Sequence, residues 1–177
     1  MYYVIQVKTG KEDQTMKDIL KFASSDPYFE VFSPYRKTLR KYNGVYKEVK
    51  ERCFPGYLFV ETDDIKRLFY DLYEVPGFTK ILGREGTSMH FESLSEEESR
   101  MVNILYNANA ERTTEISDIT IEEGDKIRIL SGPLKDLDAK VKKVDLHKRK
   151  ITVIVPFFKR DVEVKVGINI VMKTEGK

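Results

Sequence analysis

Beyond residue 126 the chain is a succession of short β-branched runs, and no other feature constrains its fold as tightly. Ile127 and Ile129 alternate with polar residues, Gly132-Pro133 marks a turn, and Val141 and Val144 follow. Ile151, Val153 and Val155 alternate again, Phe157-Phe158 lead into Val162, Val164 and Val166, and Ile168 to Val171 closes the series. β-Branched side chains are stiff at χ1, which disfavours helix and suits a pleated sheet. Short strands spaced at about ten residues, with turns between them, predict a small all-β barrel over 122–177 rather than a helical hairpin.

The preceding residues follow a different plan. Tyr2 to Val7 predicts an opening strand, and Thr9-Gly10 a turn. Met16, Ile19, Leu20 and Phe22-Ala23 then fall on one helical face, ending near Ser25 before Pro27. Phe29, Val31 and Phe32 form a short strand stopped by Pro34. Asn43-Gly44, flanked by strand formers from Tyr35 to Lys50, is a strong hairpin signal. Phe54 to Val60 returns as a buried strand around Pro55-Gly56, and Asp63 or Thr62 caps a helix carrying Ile65, Leu68, Phe69 and Leu72. Phe78, Ile81 and Leu82 form another strand. Ser95 with Glu98 is a capping box for a helix with Met101, Val102, Leu105 and Tyr106. Strands and helices in this order indicate an α+β sandwich. Residues 107–120 lose apolar periodicity and read as a linker, able to span roughly 45 Å when extended.

A length of 177 residues suits one ordinary domain or two small ones. With 41% hydrophobic and 34% charged residues the chain has the composition of a folded protein. The net charge of +2 hides segregation: residues 126–165 hold 12 Lys and Arg against 5 Asp and Glu, residues 36–52 hold 7 against 2, and residues 92–125 hold 2 against 10. Two basic patches suit a polyanion.

Catalysis finds no support. His90 and His147 lack a Ser, Cys or carboxylate arrangement suggestive of a relay, and Gly83-Arg84-Glu85-Gly86 lacks the Gly-Lys-Ser/Thr ending of a phosphate loop. The acids at 96–98 suit the first turn of a helix. Cys53 is single, and with two His it is too little for an all-Cys/His zinc site. Neither a signal peptide nor a bilayer-spanning run is visible. The expectation is therefore a cytoplasmic, monomeric binding protein without enzyme activity, cofactor, metal or membrane contact.

Three segments, YYVIQVKTGKE at 2–12, ERCFPGYLFVE at 51–61 and VPGFTKILG at 75–83, resemble the N-terminal (NGN) domain of the NusG transcription elongation factors. EEGDKIRILSGPLKDLDAKVKKVD at 122–145, with ITVIVPFFKRDVEV at 151–164, is similar to that family's C-terminal KOW domain. The resemblance implies an NGN-type α/β sandwich, an antiparallel sheet with helices, over 1–106. A flexible linker over 107–121 and an SH3-like KOW barrel over 122–177 would follow. It also implies that the first domain packs an apolar surface on the clamp helices of bacterial RNA polymerase and suppresses pausing and termination. Positional matches assign that contact to Phe54, Tyr57 and Phe59, with Tyr2, Phe78 and Ile81 beside them.

Two positions depart from the family pattern: Lys159 stands where a Gly usually follows the exposed Phe, here Phe158, and Ala139 stands where KOW segments have Gly. An Ala forced to a positive φ at 139 would cost about 1 kcal/mol. The rebuilt loops point away from Rho or a ribosomal protein, the partners of a housekeeping NusG, and toward charge. Lys140, Lys142, Lys143, His147, Lys148, Arg149, Lys150, Lys159 and Arg160 crowd two turns and predict a basic end that binds an RNA hairpin in the nascent transcript. The chain then resembles the specialised, LoaP-like NusG paralogues that act as operon-targeted antiterminators. On the 35–50 hairpin, Arg36, Lys37, Arg40, Lys41 and Lys47, interleaved with Tyr35, Tyr42 and Tyr46, form a candidate nucleic-acid contact, such as to non-template DNA.

Overall fold

The structure is a computed structural model describing residues 1–22, 28–83, 86–87, 89–106, 110–122, 126–158 and 160–173. Backbone proximity divides the chain into two units, one of residues 1–34 and 54–99 and the other of 35–53 and 100–177.

In the first unit β1 (Tyr2–Val7) lies between β5 (Tyr57–Thr62) and β6 (Phe78–Ile81), antiparallel to both, and β2 (Phe29–Phe32) flanks β5. Side chains on a strand alternate between faces. Tyr3, Ile5, Leu58 and Val60 therefore share one face and pack with Ile19 of α1 (Glu12–Phe22) and with Leu68 and Leu72 of α2 (Ile65–Leu72). The helix cap is Asp64, whose Oδ1 accepts from the Arg67 amide at 3.1 Å, not the expected Asp63 or Thr62. Thr62 instead accepts from the Asp64 amide at 3.1 Å, and Asp63 pairs with the terminal ammonium at 3.3 Å. The Phe54-Pro55-Gly56 bend is pinned from both sides. Gly56 has φ +83, its amide donates to the buried Glu12 carboxylate at 2.7 Å, and a Cβ there would meet Thr9 Oγ1 at 2.8 Å. The capping box forms as expected at α3 (Glu96–Tyr106): Ser95 N–H donates to Glu98 at 2.7 Å, and Glu98 N–H to Ser95 at 3.3 Å.

The second unit begins with the expected hairpin. Asn43 and Gly44 both have positive φ, +48 and +85, as a two-residue primed turn requires. They join β3 (Tyr35–Tyr42) to β4 (Val45–Arg52), paired from Tyr35↔Arg52 to Tyr42↔Val45. β7 (Thr113–Thr114) adds in parallel beside β3. A five-stranded sheet has the order β10 (Lys140–Asp145), β11 (Lys150–Phe157), β12 (Arg160–Lys173), β8 (Ser117–Ile121), β9 (Ile127–Ser131). Ile119, Ile151, Val153, Val166 and Ile168 are buried. Pro133–Asp136 forms a single helical turn.

Two local expectations are corrected. The stretch read as lacking regular structure contains β7 and β8, with Thr113, Thr114, Ser117, Ile119 and Ile121 buried. Small hydroxyl side chains occupy interior positions there, which hides the burial from an apolar pattern. Residues 107–109 lie outside the described ones. The expected separate strands at 162–166 and 168–171 are one continuous β12, whose first half pairs with β11 and whose second half runs parallel to β8. Gly167 between them is no turn. A Cβ at this position would sit 2.3 Å from the Lys37 carbonyl oxygen and 3.1 Å from Thr38 Cα, so β12 crosses β3 backbone to backbone.

Among the described residues, no helix is long and apolar enough to cross a membrane, and no group of three or more His, Cys, Asp and Glu is placed to hold a metal.

Candidate partner and nucleic-acid interfaces

The six apolar positions matched to polymerase contact gather on the first unit's sheet but are not equally accessible. Val4 and Phe32 oppose Phe59 on neighbouring strands, and the Phe59 ring stacks on Phe32 at 5.7 Å and tilts against Phe54 at 5.5 Å. Tyr2 meets Phe32 edge-on at 6.4 Å. This aromatic cluster lies on the sheet face opposite Leu58 and Val60, because β5 alternates. Tyr2, Phe54, Phe59 and Ile81 are buried, while Tyr57 and Phe78 are half-buried. Burial on both faces is why β1 and β5 read as nearly unbroken apolar runs.

The β3–β4 hairpin spends much of its charge internally. Arg36 lies directly across from Glu51, and the strand repeat of two places Arg40 and Arg36 on one side. Glu51 accepts from Arg36 at 3.0 and 3.2 Å, from Arg40 at 2.7 and 3.1 Å, and from Lys150 of β11 at 3.0 and 3.1 Å. Burial opposes ionisation of this carboxyl, but the hydrogen bonds from Lys150, Arg40 and Arg36 outweigh it and hold its pKa at about 2. Its side chain is 14% exposed. Lys37 pairs with Glu115 at 3.0 Å and Glu48 at 3.6 Å, and Lys50 with Glu111 at 3.1 Å. Glu51 was not among the residues singled out from sequence; the available signal was an acid within a basic hairpin, set across from an arginine.

The basic side chains of the five-stranded sheet do not share one end. The β10–β11 turn, with His147, Lys148 and Arg149, and the β11–β12 turn, with Arg160, lie at opposite ends of the eight-residue β11. The separation is roughly 25 Å at strand rise, since consecutive antiparallel turns must alternate ends. Lys159 lies outside the described residues. Lys140, Lys142 and Lys143 are exposed along β10, Lys142 pairing with Glu163. What the chain does bring together is the β10–β11 turn and the hairpin. Tyr46 OH donates to the His147 carbonyl at 3.4 Å, and the Arg149 guanidinium lies 4.6 Å over the Tyr46 ring. Leu39, Arg40 and Lys41 from β3 face His147, Lys148 and Lys150 across a cleft of about 400 Å³.

Ala139 lies outside the left-handed region, which among described non-glycine residues holds only Asn43, Arg112, Arg149 and Phe158. The cost expected there is not incurred. Cys53 lies beside Tyr106, and burial pushes its thiol pKa up, which disfavours the reactive thiolate.

The family model for the transcription termination factor NusG matches residues 1–103. The transcription termination/antitermination proteins NusG of Staphylococcus carnosus and Staphylococcus aureus are each 27% identical over 176 residues, covering 97% of this chain and 94% of theirs. A solved structure described as domain interaction in Thermotoga maritima NusG aligns over 94% of this chain and 92% of its own with 20% identity and a TM-score of 0.53, a likeness of fold. With more than half its length matched by the family model, the chain belongs to the NusG family of transcription termination and antitermination factors.

Proposed function

We propose that the chain is an antitermination factor that holds RNA polymerase through residues 1–106, an NGN domain, and structured nascent RNA through residues 122–177, a KOW domain. Residues 107–121 connect the two. The observation that carries the RNA reading is the row of exposed lysines Lys140, Lys142, Lys143 and Lys148, with His147 beside them, on one strand and its turn. Such a row suits the phosphates of an A-form stem, which proteins recognise by backbone and shape. On the polymerase side, Tyr57 is the reachable edge of the aromatic sheet face, with Tyr2, Phe54 and Phe59 buried beside it. Phe78 and Ile81 pack with the opposite face, against the cluster of Ile5 and Leu58.

Run-off transcription past a terminator, with and without a stem-loop leader, tests the whole reading. Readthrough that requires both the protein and the leader supports it, and leader-independent behaviour defeats the RNA half. Tyr57→Ala should weaken capture of the protein by polymerase while leaving its thermal transition in place. One observation favours a housekeeping role with Rho or a ribosomal protein instead. Phe158 sits at φ +51 in the β11–β12 turn, its ring edge-on to Phe157 at 5.3 Å, a shape suited to presenting an aromatic to a protein partner. Loss of function in Phe158→Ala without loss of RNA binding would favour that role.

A further inference from the structure

We infer that RNA phosphate is held in a composite cleft formed by the β3–β4 hairpin and the β10–β11 turn together, not by the five-stranded sheet alone; this rests on the RNA reading above. The cleft of about 400 Å³ takes Leu39, Arg40 and Lys41 from one side and His147, Lys148 and Lys150 from the other. Two strand connections distant in sequence are locked into one wall by the Tyr46 hydrogen bond to His147 and by Arg149 stacked on the Tyr46 ring.

Its charge is unbalanced. Glu51 is the shared anion for Arg36, Arg40 and Lys150. Asp145 is turned into the β10–β11 turn, where it accepts from the Lys148 amide at 2.8 Å. Lys41 and Lys148 line the cleft without an ion pair among the described residues. Arg149 adds positive charge next to the cleft, its guanidinium stacked over the Tyr46 ring. Two ammonium groups without ion pairs among the described residues, one on each side of a single cleft, are an arrangement that a phosphodiester completes. The Leu39 side chain gives the cleft an apolar flank against which a ribose or base can lie. Structured RNA is the occupant because the partner of the adjacent β10 cations, in the reading above, is the transcript.

The test uses the full chain and a labelled RNA stem-loop of about 20 nucleotides, with a DNA hairpin of the same sequence as comparison. Affinity is measured across a salt series for wild type, Lys41→Ser, Lys148→Ser and the double variant. A Lys17→Ser/Lys66→Ser variant removes the same charge from exposed positions elsewhere. The expected result is a loss of about 10-fold or more in the double variant, with each single contributing. The log–log salt slope should fall by about 1.5, for two phosphate contacts removed. Amide spectra confirm that each variant keeps its fold. If Lys148→Ser weakens binding and Lys41→Ser does not, the hairpin takes no part and the composite cleft is wrong. Equal losses in the Lys17→Ser/Lys66→Ser control, or tighter binding to the DNA hairpin, also overturn it. If wild type binds no stem-loop RNA, the RNA reading itself fails and the cleft falls with it.

Discussion

Glu51 and Lys150 are 99 residues apart in sequence, yet the Lys150 ammonium lies 3.1 Å from one oxygen of the Glu51 carboxylate and 3.0 Å from the other. The same carboxylate takes Arg36 and Arg40, so one acid joins the β3–β4 hairpin to β11. A half-buried ion cluster of this kind costs desolvation to assemble, but removing its shared anion leaves three cations facing one another. Glu51→Gln should therefore destabilise the second unit by about 2–4 kcal/mol. Thermal unfolding followed by amide signals of β3 and β11 measures this directly. A variant as stable as wild type would mean that the cluster is incidental.

Acid should act through the same carboxyl. Its folded pKa of about 2 lies below the ordinary 4.5, so ionised Glu51 favours the folded state at pH values above 4.5. That contribution, at most about 3 kcal/mol, is lost as pH falls from about 4.5 to about 2. Wild type should lose stability over this window more steeply than Glu51→Gln, whose amide does not titrate. Identical acid profiles for the two proteins would remove Glu51 from the account. The remaining slope belongs to carboxyls such as Asp145, Glu111 and Glu163, which hydrogen bonds to Lys148, Lys50 and Lys142 hold low.

Gly167 carries the second link between hairpin and sheet. Its φ is not in the left-handed region, so the requirement is for space alone. The atom a Cβ would strike at 2.3 Å is the backbone carbonyl of Lys37, which has no rotamer to escape into. Gly167→Ala should loosen β3 from β12, and Gly167→Val more so, costing about 1–3 kcal/mol. Hydrogen exchange at the Thr38 amide and its neighbours should quicken, while β1 and β5 amides keep their protection. Unchanged exchange at β3 would contradict the close crossing.

The aromatic sheet face gives a graded stability series. Phe59 is fully buried between Phe32 and Phe54, so Phe59→Ala should cost about 3–5 kcal/mol. Tyr57, half-buried on the same strand, should cost far less when replaced by Ala. Denaturant midpoints for the two variants check the order. The reverse order would place Tyr57 in the interior and undo its assignment as the reachable edge.

Much of this was legible in sequence wherever a local rule was decisive. Asn43-Gly44 specifies its turn through the positive φ that both residues tolerate, and Ser95 with Glu98 writes its own cap. β1, β2 and α2 follow from periodicity. Sequence failed where tertiary neighbours decide. Thr113, Thr114 and Ser117 are interior residues with polar side chains, so no apolar pattern marks their strands. Asp64 outcompetes Asp63 as cap because only its side chain reaches the Arg67 amide. The runs 162–166 and 168–171 read as separate strands until the Lys37 carbonyl beside Gly167 is known. The basic residues of 140–160 look like one cluster along the chain, but an antiparallel strand carries Arg160 to the far end. Glu51 and Lys150 share no local signal at all.

Ala139 offers a test in the opposite direction, because the family pattern has Gly where this chain does not. If the local backbone needed a positive φ, Ala139→Gly would stabilise the chain by relieving strain. Here Ala139 lies outside that region, its amide donating to the Leu137 carbonyl at 2.9 Å just before β10. Gly at this position then only adds freedom to the unfolded chain, which lowers stability by about 0.4–1 kcal/mol. Chemical denaturation of Ala139→Gly against wild type decides the sign. A gain in stability would show that the turn into β10 is strained, and that the family's glycine suits this backbone better than the residue it carries.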